Sequence, residues 1–348
     1  MQEISIAGRR IGSDHPPYVI CELSGNHNGE LARALRMMEA AKATGADAVK
    51  LQTYTADTIT LDHDGEQFRI KGGLWDGRRL YDLYQEASTP WDWHEALFAK
   101  GRELGITIFS TPFDKTAVDL LEGLGAPAYK VASFEVVDLP LVEYIASKRK
   151  PMIISTGLAN LGEIQDVITT ARKGGADGLV VLHCISAYPA PMEDANLRTI
   201  PNLAETFGVI SGLSDHTMGT AASVTAVALG GSVIEKHFTL ARADGGPDSA
   251  FSLEPAEFTR LVEDCKGAWA ALGRIRYDLK GSEAGNIVYR RSLYVTRDVR
   301  AGEALTEANV RSIRPGYGLA PKHLPEVLGR HAARDLARGE PFAWSMVE

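Results

Sequence analysis

The chain has 348 residues, with 37 lysines and arginines against 45 aspartates and glutamates, a net charge of −8. That balance leaves no basic footprint for nucleic acid, so any anionic ligand must be held by local cations and amides. The nearest approach to a membrane span, Ala221 to Ile234, is broken at Gly230-Gly231. Three cysteines, Cys21, Cys184 and Cys265, lack metal or redox spacing and fit buried free thiols in a reducing compartment. The N-terminal Met1-Gln2-Glu3-Ile4 has no charged-then-apolar leader pattern, so a cytoplasmic protein is expected.

Along the chain, short apolar runs alternate with helical patterns. The runs predict strands at Tyr18–Ser24, Ala48–Tyr54, Thr107–Thr111, Ala128–Ser133, Met152–Thr156, Gly178–Cys184, Val209–Asp215 and Ser232–Phe238. Helices are predicted at Leu31–Thr44, Trp91–Leu104, Ala117–Leu124, Leu139–Ser147, Leu161–Lys173, Gly219–Leu229 and Pro255–Leu272. Gly45, Gly105, Gly125, Gly174, Gly208, Gly230 and Gly273 suit the left-handed position that closes a helix. Eight strand–helix units over about 250 residues predict an α/β fold, a (β/α)8 TIM barrel. The rival, an open doubly wound sheet, lacks its G-x-G-x-x-G after the first strand. The expected layout is a barrel over 1–273, a linker over 274–289 and a small domain over 290–348. The last segment has strand-like runs at Ser292–Thr296 and Asn309–Ile313 but few large apolar side chains. It is expected to need another surface to pack on.

Polar residues gather at the C-terminal strand ends, the catalytic face of this barrel type. The seventh and eighth strands end at His216 and His237, and two convergent neutral imidazoles suit a divalent cation. With only two such ligands the site keeps open positions, as catalytic sites do. Lys50 and Lys130 lie inside apolar strands, where an unpaired cation is costly. Three readings stay open for them: ion pairs with Glu22 or Glu235, an anion cradle with Thr111, Ser133, Ser155 and Ser214, or a Schiff-base lysine. Glu22 and Glu235 are acid–base candidates or simple counter-charges, and Asp248 could add a hard oxygen ligand. Trp75, Trp91 and Trp93 read as packing residues. The long segment Thr55–Ala87, rich in Gly and aromatics, faces the same mouth and suits a functional loop.

These motifs together resemble the sialic acid synthase family. The matching stretches are Cys21–Gly29, Val49–Thr53, Ser110–Asp114, Tyr129–Ser133, Ser155–Gly157, Ser214–Thr217, Glu235–Thr239, Gly246–Asp248 and Ser252–Pro255. The tail stretches Arg290–Val295 and Ile313–Gly316 are similar to the SAF, or antifreeze-like, domain of these synthases. The resemblance implies condensation of phosphoenolpyruvate with an N-acetylated amino sugar. His216 and His237 would hold manganese, magnesium or cobalt. Lys50, Thr111, Lys130, Ser133, Ser155 and Ser214 would bind phosphoenolpyruvate. Glu22, Glu235 and Asp248 would be catalytic, and Gln52, Tyr188 and Arg314 would contact the sugar. It also implies a homodimer in which the SAF domain of one copy completes the other's site.

Within the family, Gly73–Gly77, Leu80–Tyr84, Thr89–His94, Ala243–Phe251 and Pro315–Leu319 look like the pseudaminic acid branch. The neuraminate branch has asparagine before the tyrosine after strand six, where this chain has Ala187 before Tyr188. Alternatives are an N-acetylneuraminate or legionaminate synthase, a metal-dependent pyruvate aldolase or lyase, and a non-catalytic sugar-binding barrel.

Overall fold

In the computed structural model, which describes residues 3–348, two short strands come first: β1 (Ile4–Ile6) and β2 (Arg9–Ile11), an antiparallel hairpin. Eight parallel strands then close into a barrel. They are β3 (Tyr18–Glu22), β4 (Ala48–Thr53), β5 (Thr107–Pro112) and β6 (Tyr129–Val131). The circle continues through β7 (Met152–Ser155), β8 (Leu179–Cys184), β9 (Ile210–Asp215) and β10 (Val233–His237). The last closes on the first, with His237 in register with Glu22. The expected (β/α)8 barrel is therefore present.

Alternation along each strand sorts its side chains into two cores. Facing the helices, Val49, Leu51, Leu213 and Ile234 join one large apolar cluster. Facing the lumen, Ile20, Phe109, Ile153, Val180, Leu182 and Val233 pack with Ile6 and Ile11 of the N-terminal hairpin, forming a separate core. Each such large side chain contributes about 1.5–3 kcal/mol on burial. The lumen is thus apolar at its N-terminal end. Further along the same inward faces, Ile20 gives way to Glu22, Ala48 to Lys50, Phe109 to Thr111, Ile153 to Ser155 and Val233 to Glu235.

Helix ends follow ordinary capping chemistry. The Asp114 carboxylate accepts from Thr116 and Ala117 backbone N–H, and Asn160 forms a capping box with Glu163. Gly105 closes its helix at φ 61°. Gly174 departs from expectation: it lies inside the helix Leu161–Gly174, and Gly175 takes the left-handed turn at φ 97°. A Cβ on Gly174 would stand 2.6 Å from that of Ala146, so the glycine serves close packing against the helix Leu139–Ala146.

The chain divides into two compact units, one ending at Gly273 and one spanning Arg274–Glu348. The segment expected as a linker belongs to the second unit and includes a 3-10 helix, Gly281–Tyr289. The second unit holds strands β11 (Ser292–Val295) and β12 (Val310–Ile313), paired antiparallel. Contrary to the sequence expectation, it has its own core. Ten buried residues, among them Leu293, Leu305, Leu336 and Phe342, form one cluster. They are scattered among turns without a regular period, so pattern reading undercounts them.

Candidate active site

The inward strand tips meet in one hydrogen-bonded cluster. Lys50 Nζ lies 2.5 Å from Glu22 Oε2 and 3.5 Å from Glu235 Oε1, and donates to Thr111 Oγ1 at 3.2 Å. Lys130 Nζ donates to Ser155 Oγ at 2.7 Å and to the Val131 carbonyl at 3.1 Å, with Glu235 Oε1 at 3.8 Å. Ser214 Oγ donates to Glu235 Oε1 at 3.4 Å. Gln52 Nε2 and the Ser24 N–H donate to Glu22 Oε1, each at 3.1 Å. Of the readings left open by the sequence, the ion pairs are present, and the hydroxyls of the expected anion cradle stand beside them: Lys50 takes the carboxylates, and Lys130 rests chiefly on neutral oxygens.

Both lysines are under 5% exposed, which sets the electrostatics. Burial pushes the Glu22 carboxyl up, against the pull of Lys50. Burial would lower Lys50, but Glu22 and Glu235 outweigh it and raise it. Burial lowers Lys130. With both glutamates charged the four-residue cluster is neutral; a protonated Glu22 would leave it cationic, suited to an anion. Ser133 sits beside this group, its Oγ accepting from the Gly157 N–H at 3.1 Å. A Cβ on Gly157 would come within 2.2 Å of Ser186 Oγ and 2.8 Å of Ser133 Oγ. That space between two hydroxyls exists because the residue is glycine.

The two imidazoles stand together toward the mouth. The His216 and His237 ring centres are 5.3 Å apart. His216 Nδ1 is bonded to the Ile185 carbonyl at 2.9 Å, which leaves Nε2 as a free donor atom. His237 Nδ1 is buried without a hydrogen-bond partner. Burial, and then His216, hold His237 well below the usual histidine range and so neutral. A neutral ring with an orphaned nitrogen, beside a ring oriented by a carbonyl, fits a divalent cation. Among the described residues no group of three His, Cys, Asp or Glu side chains is arranged to hold a metal ion.

Around them stands an aromatic wall. Tyr188 lies 4.4 Å from His216, and Phe251 lies 4.9 Å from His237, centre to centre. Trp75, from the long segment, lies 5.7 Å from Tyr188, and its Nε1 donates to the Pro247 carbonyl at 2.9 Å. Trp75 therefore belongs to the site, unlike Trp93, which packs on His27. Asp248 contacts Ser24 Oγ, and burial pushes its carboxyl up to about 7.

Sequence reading passed over Glu135, at the tip beyond β6. Its Oε2 is buried and unpartnered, and burial raises its carboxyl to about 7. Its position two residues beyond Ser133 was the available signal. Arg314 lies in the second unit, exposed, one residue past β12.

This constellation sits on a chain with close relatives. The NeuB family matches residues 37–277 and the SAF domain residues 290–348. The chain belongs to the NeuB family, the sialic acid synthases, and carries a C-terminal SAF domain. It is an enzyme of that family, similar to a pseudaminic acid synthase of Helicobacter pylori at 46% identity, over 96% of this chain and 98% of that one. An N,N'-diacetyllegionaminic acid synthase of Legionella pneumophila is 34% identical, over 97% and 96%. The crystal structure of an N-acetylneuraminic acid synthetase from Leptospira borgpetersenii, in complex with citrate, superposes with a TM-score of 0.74 at 30% identity. It covers 83% of this chain and 96% of that one.

Proposed function

We propose that this enzyme condenses phosphoenolpyruvate with 2,4-diacetamido-2,4,6-trideoxy-L-altrose to give pseudaminic acid and phosphate. The observation that carries this is the pairing, at one barrel mouth, of a buried two-lysine cluster with two convergent imidazoles. The choice of sugar rests on the higher identity to a pseudaminic acid synthase than to a legionaminic acid synthase, 46% against 34%.

Lys50 and Lys130, with Thr111, Ser133, Ser155 and Ser214, hold the phosphate and carboxylate of phosphoenolpyruvate. Gln52, Tyr188 and Arg314 contact the sugar. A divalent cation, manganese, magnesium or cobalt, held by His216 and His237, would supply Lewis acidity to the sugar aldehyde. C3 of phosphoenolpyruvate bonds to the aldehyde carbon, and positive character develops at C2. The carboxylates of Glu22 and Glu235 stabilise that charge in a site of low dielectric. Water adds to C2, the C2–O bond breaks, and phosphate leaves with the bridging oxygen. Asp248 and Glu135, both with carboxyls near 7, take and return protons at neutral pH.

The reading extends to a homodimer in which one copy's SAF domain completes its partner's mouth. Exposed Phe134, Val137, Leu158, Leu161, Met192 and Met218 follow four neighbouring strands, β6 to β9, and form an apolar rim that suits a second copy. A cytoplasmic location agrees with three free, buried cysteines, and among the described residues no helix is long and apolar enough to cross a membrane.

The test is turnover with phosphoenolpyruvate labelled with ¹⁸O at the bridging position. Label in phosphate is expected, and label kept in the sugar acid would overturn the C–O cleavage. Comparable turnover of the trideoxy-altrose, the legionaminate precursor and N-acetylmannosamine would overturn the choice of sugar.

A further inference from the structure

The residues just before the two histidines in sequence, Asp215 and Lys236, carry the most deeply buried ion pair among the described residues. Both side chains are 1% exposed, with Nζ 2.8 Å from Oδ2. They are register partners on β9 and β10. Alternation turns them away from the lumen, while His216 and His237 turn into it. The surroundings agree: Asp215 Oδ2 accepts from Ser223 Oγ at 2.6 Å, on the outer helix Ala221–Ala228. No group of this pair lies among the lysine–glutamate cluster.

The bonding pattern encloses His216. Asp215 Oδ1 accepts from the Thr217 N–H at 2.9 Å and from its hydroxyl at 2.7 Å. Lys236 Nζ donates to the Thr217 carbonyl at 2.6 Å. One ammonium on β10 thus grips the residue before His216 and the residue after it. The same lysine is the direct neighbour of His237. Beyond the backbone ladder and the Ser214–Glu235 hydrogen bond on the lumen side, this ammonium ties the two histidine-bearing segments together on their outer side. Burying an ion pair is a costly way to stabilise a fold, since apolar residues of the same volume usually serve as well. Its retention at this point asks for another use.

We propose that Asp215 and Lys236 are a positioning pair that holds His216 and His237 at the separation at which they share one cation. The proposal rests on the reading that these histidines bind the cation. A pair that orients metal ligands sets metal affinity, typically by about 10- to 100-fold.

The test is Mn²⁺ affinity of the full-length protein, read from the EPR signal of free Mn²⁺, beside a thermal melt. The double variant Asp215→Asn/Lys236→Met removes both charges at nearly constant volume and leaves no lone buried ion. It is expected to fold cooperatively with Mn²⁺ Kd raised about tenfold or more, and to regain turnover as Mn²⁺ is raised. A purely structural pair would move the melt and leave the Kd of the folded protein unchanged. An unchanged Kd in the folded double variant overturns the proposal. If that variant does not fold, Ser223→Ala, which loosens only the carboxylate, is read instead; a weaker Kd supports the proposal and an equal one overturns it. His216→Ala separates the two layers of inference. If it binds Mn²⁺ like the wild type, the histidine reading and the proposal fall together. If it loses Mn²⁺ while the double variant keeps it, only the positioning pair falls.

Discussion

Lys130 illustrates how a residue that is costly to the fold can carry a proposed role in the chemistry. Its charge is buried, and its nearest partners are neutral oxygens, so burial lowers its pKa. Replacing it with methionine removes a desolvated cation and keeps the volume. Lys130→Met is expected to melt within a few degrees of the wild type. Its kcat/KM for phosphoenolpyruvate should fall at least about 100-fold, the order lost with one charge-assisted contact of 2–3 kcal/mol or more. A steady-state assay beside calorimetry checks both halves. Glu135 offers a test by pH. Its carboxyl is raised to about 7 in the fold from 4.5, so the folded state holds a proton that the unfolded state has released. The associated stability is fully present below about 4.5 and is lost as pH rises through 7. Glu135→Gln should remove that loss. Between pH 5 and 8 the wild type should lose on the order of 2 kcal/mol more than the variant, read from urea midpoints. The two histidines, the two lysines and Thr111, Ser155 and Ser214 were legible in the sequence because each lies within or at the end of an apolar strand, and Ser133 because it follows the apolar run of β6 directly. Glu135 was not, since it lies beyond its strand, in a 3-10 turn where period carries no information.

Among the elements, the helix Pro255–Leu272 was readable to the residue, because proline opens it and a glycine closes it. The hairpin of β1 and β2 was not. Its strands are three residues each, and its turn places an alanine, Ala7, at φ 48° ahead of Gly8, where Asn-Gly would have signalled it. The segment Thr55–Ala87 lay between these cases. Its glycines mark a turn, and Gly72, Gly73 and Gly77 all take positive φ. Arg69 and Arg79 bridge antiparallel around it. What composition could not give is where the tip lands, because Trp75 meets Tyr188 and Pro247 across a wide gap in sequence. Trp75 closes the aromatic wall beside Tyr188, where the sugar is proposed to sit. Trp75→Ala should raise the sugar KM roughly tenfold, the value of one lost aromatic contact of about 1–1.5 kcal/mol, and leave the phosphoenolpyruvate KM within about twofold. Equal effects on both substrates would count against that division of the mouth.

For the whole molecule, the homodimer reading gives a complementation test. Lys130→Met is expected to disable the barrel and Arg314→Ala the tail. Each homodimer should be nearly inactive. If the tail acts across the dimer, a mixed dimer has one site with both lesions and one with neither. After subunit exchange at equal amounts, activity should return to about a quarter of the wild type. No recovery in demonstrably mixed dimers would place Arg314's action within its own chain.

The hairpin bearing Ile6 and Ile11 also stoppers the lumen from below, and this fixes the direction of traffic. Everything must enter and leave through one opening. The lysine cluster is the more deeply buried part, while Gln52, Tyr188 and Trp75 remain partly exposed. A sugar seated there, as proposed, would block the way to the lysines. With the substrates seated as proposed, the expected order is phosphoenolpyruvate first, sugar second, and phosphate released only after the sugar acid has gone. Inhibition by phosphate should accordingly be competitive against phosphoenolpyruvate and not against the sugar. A barrel open at both ends would impose no such queue.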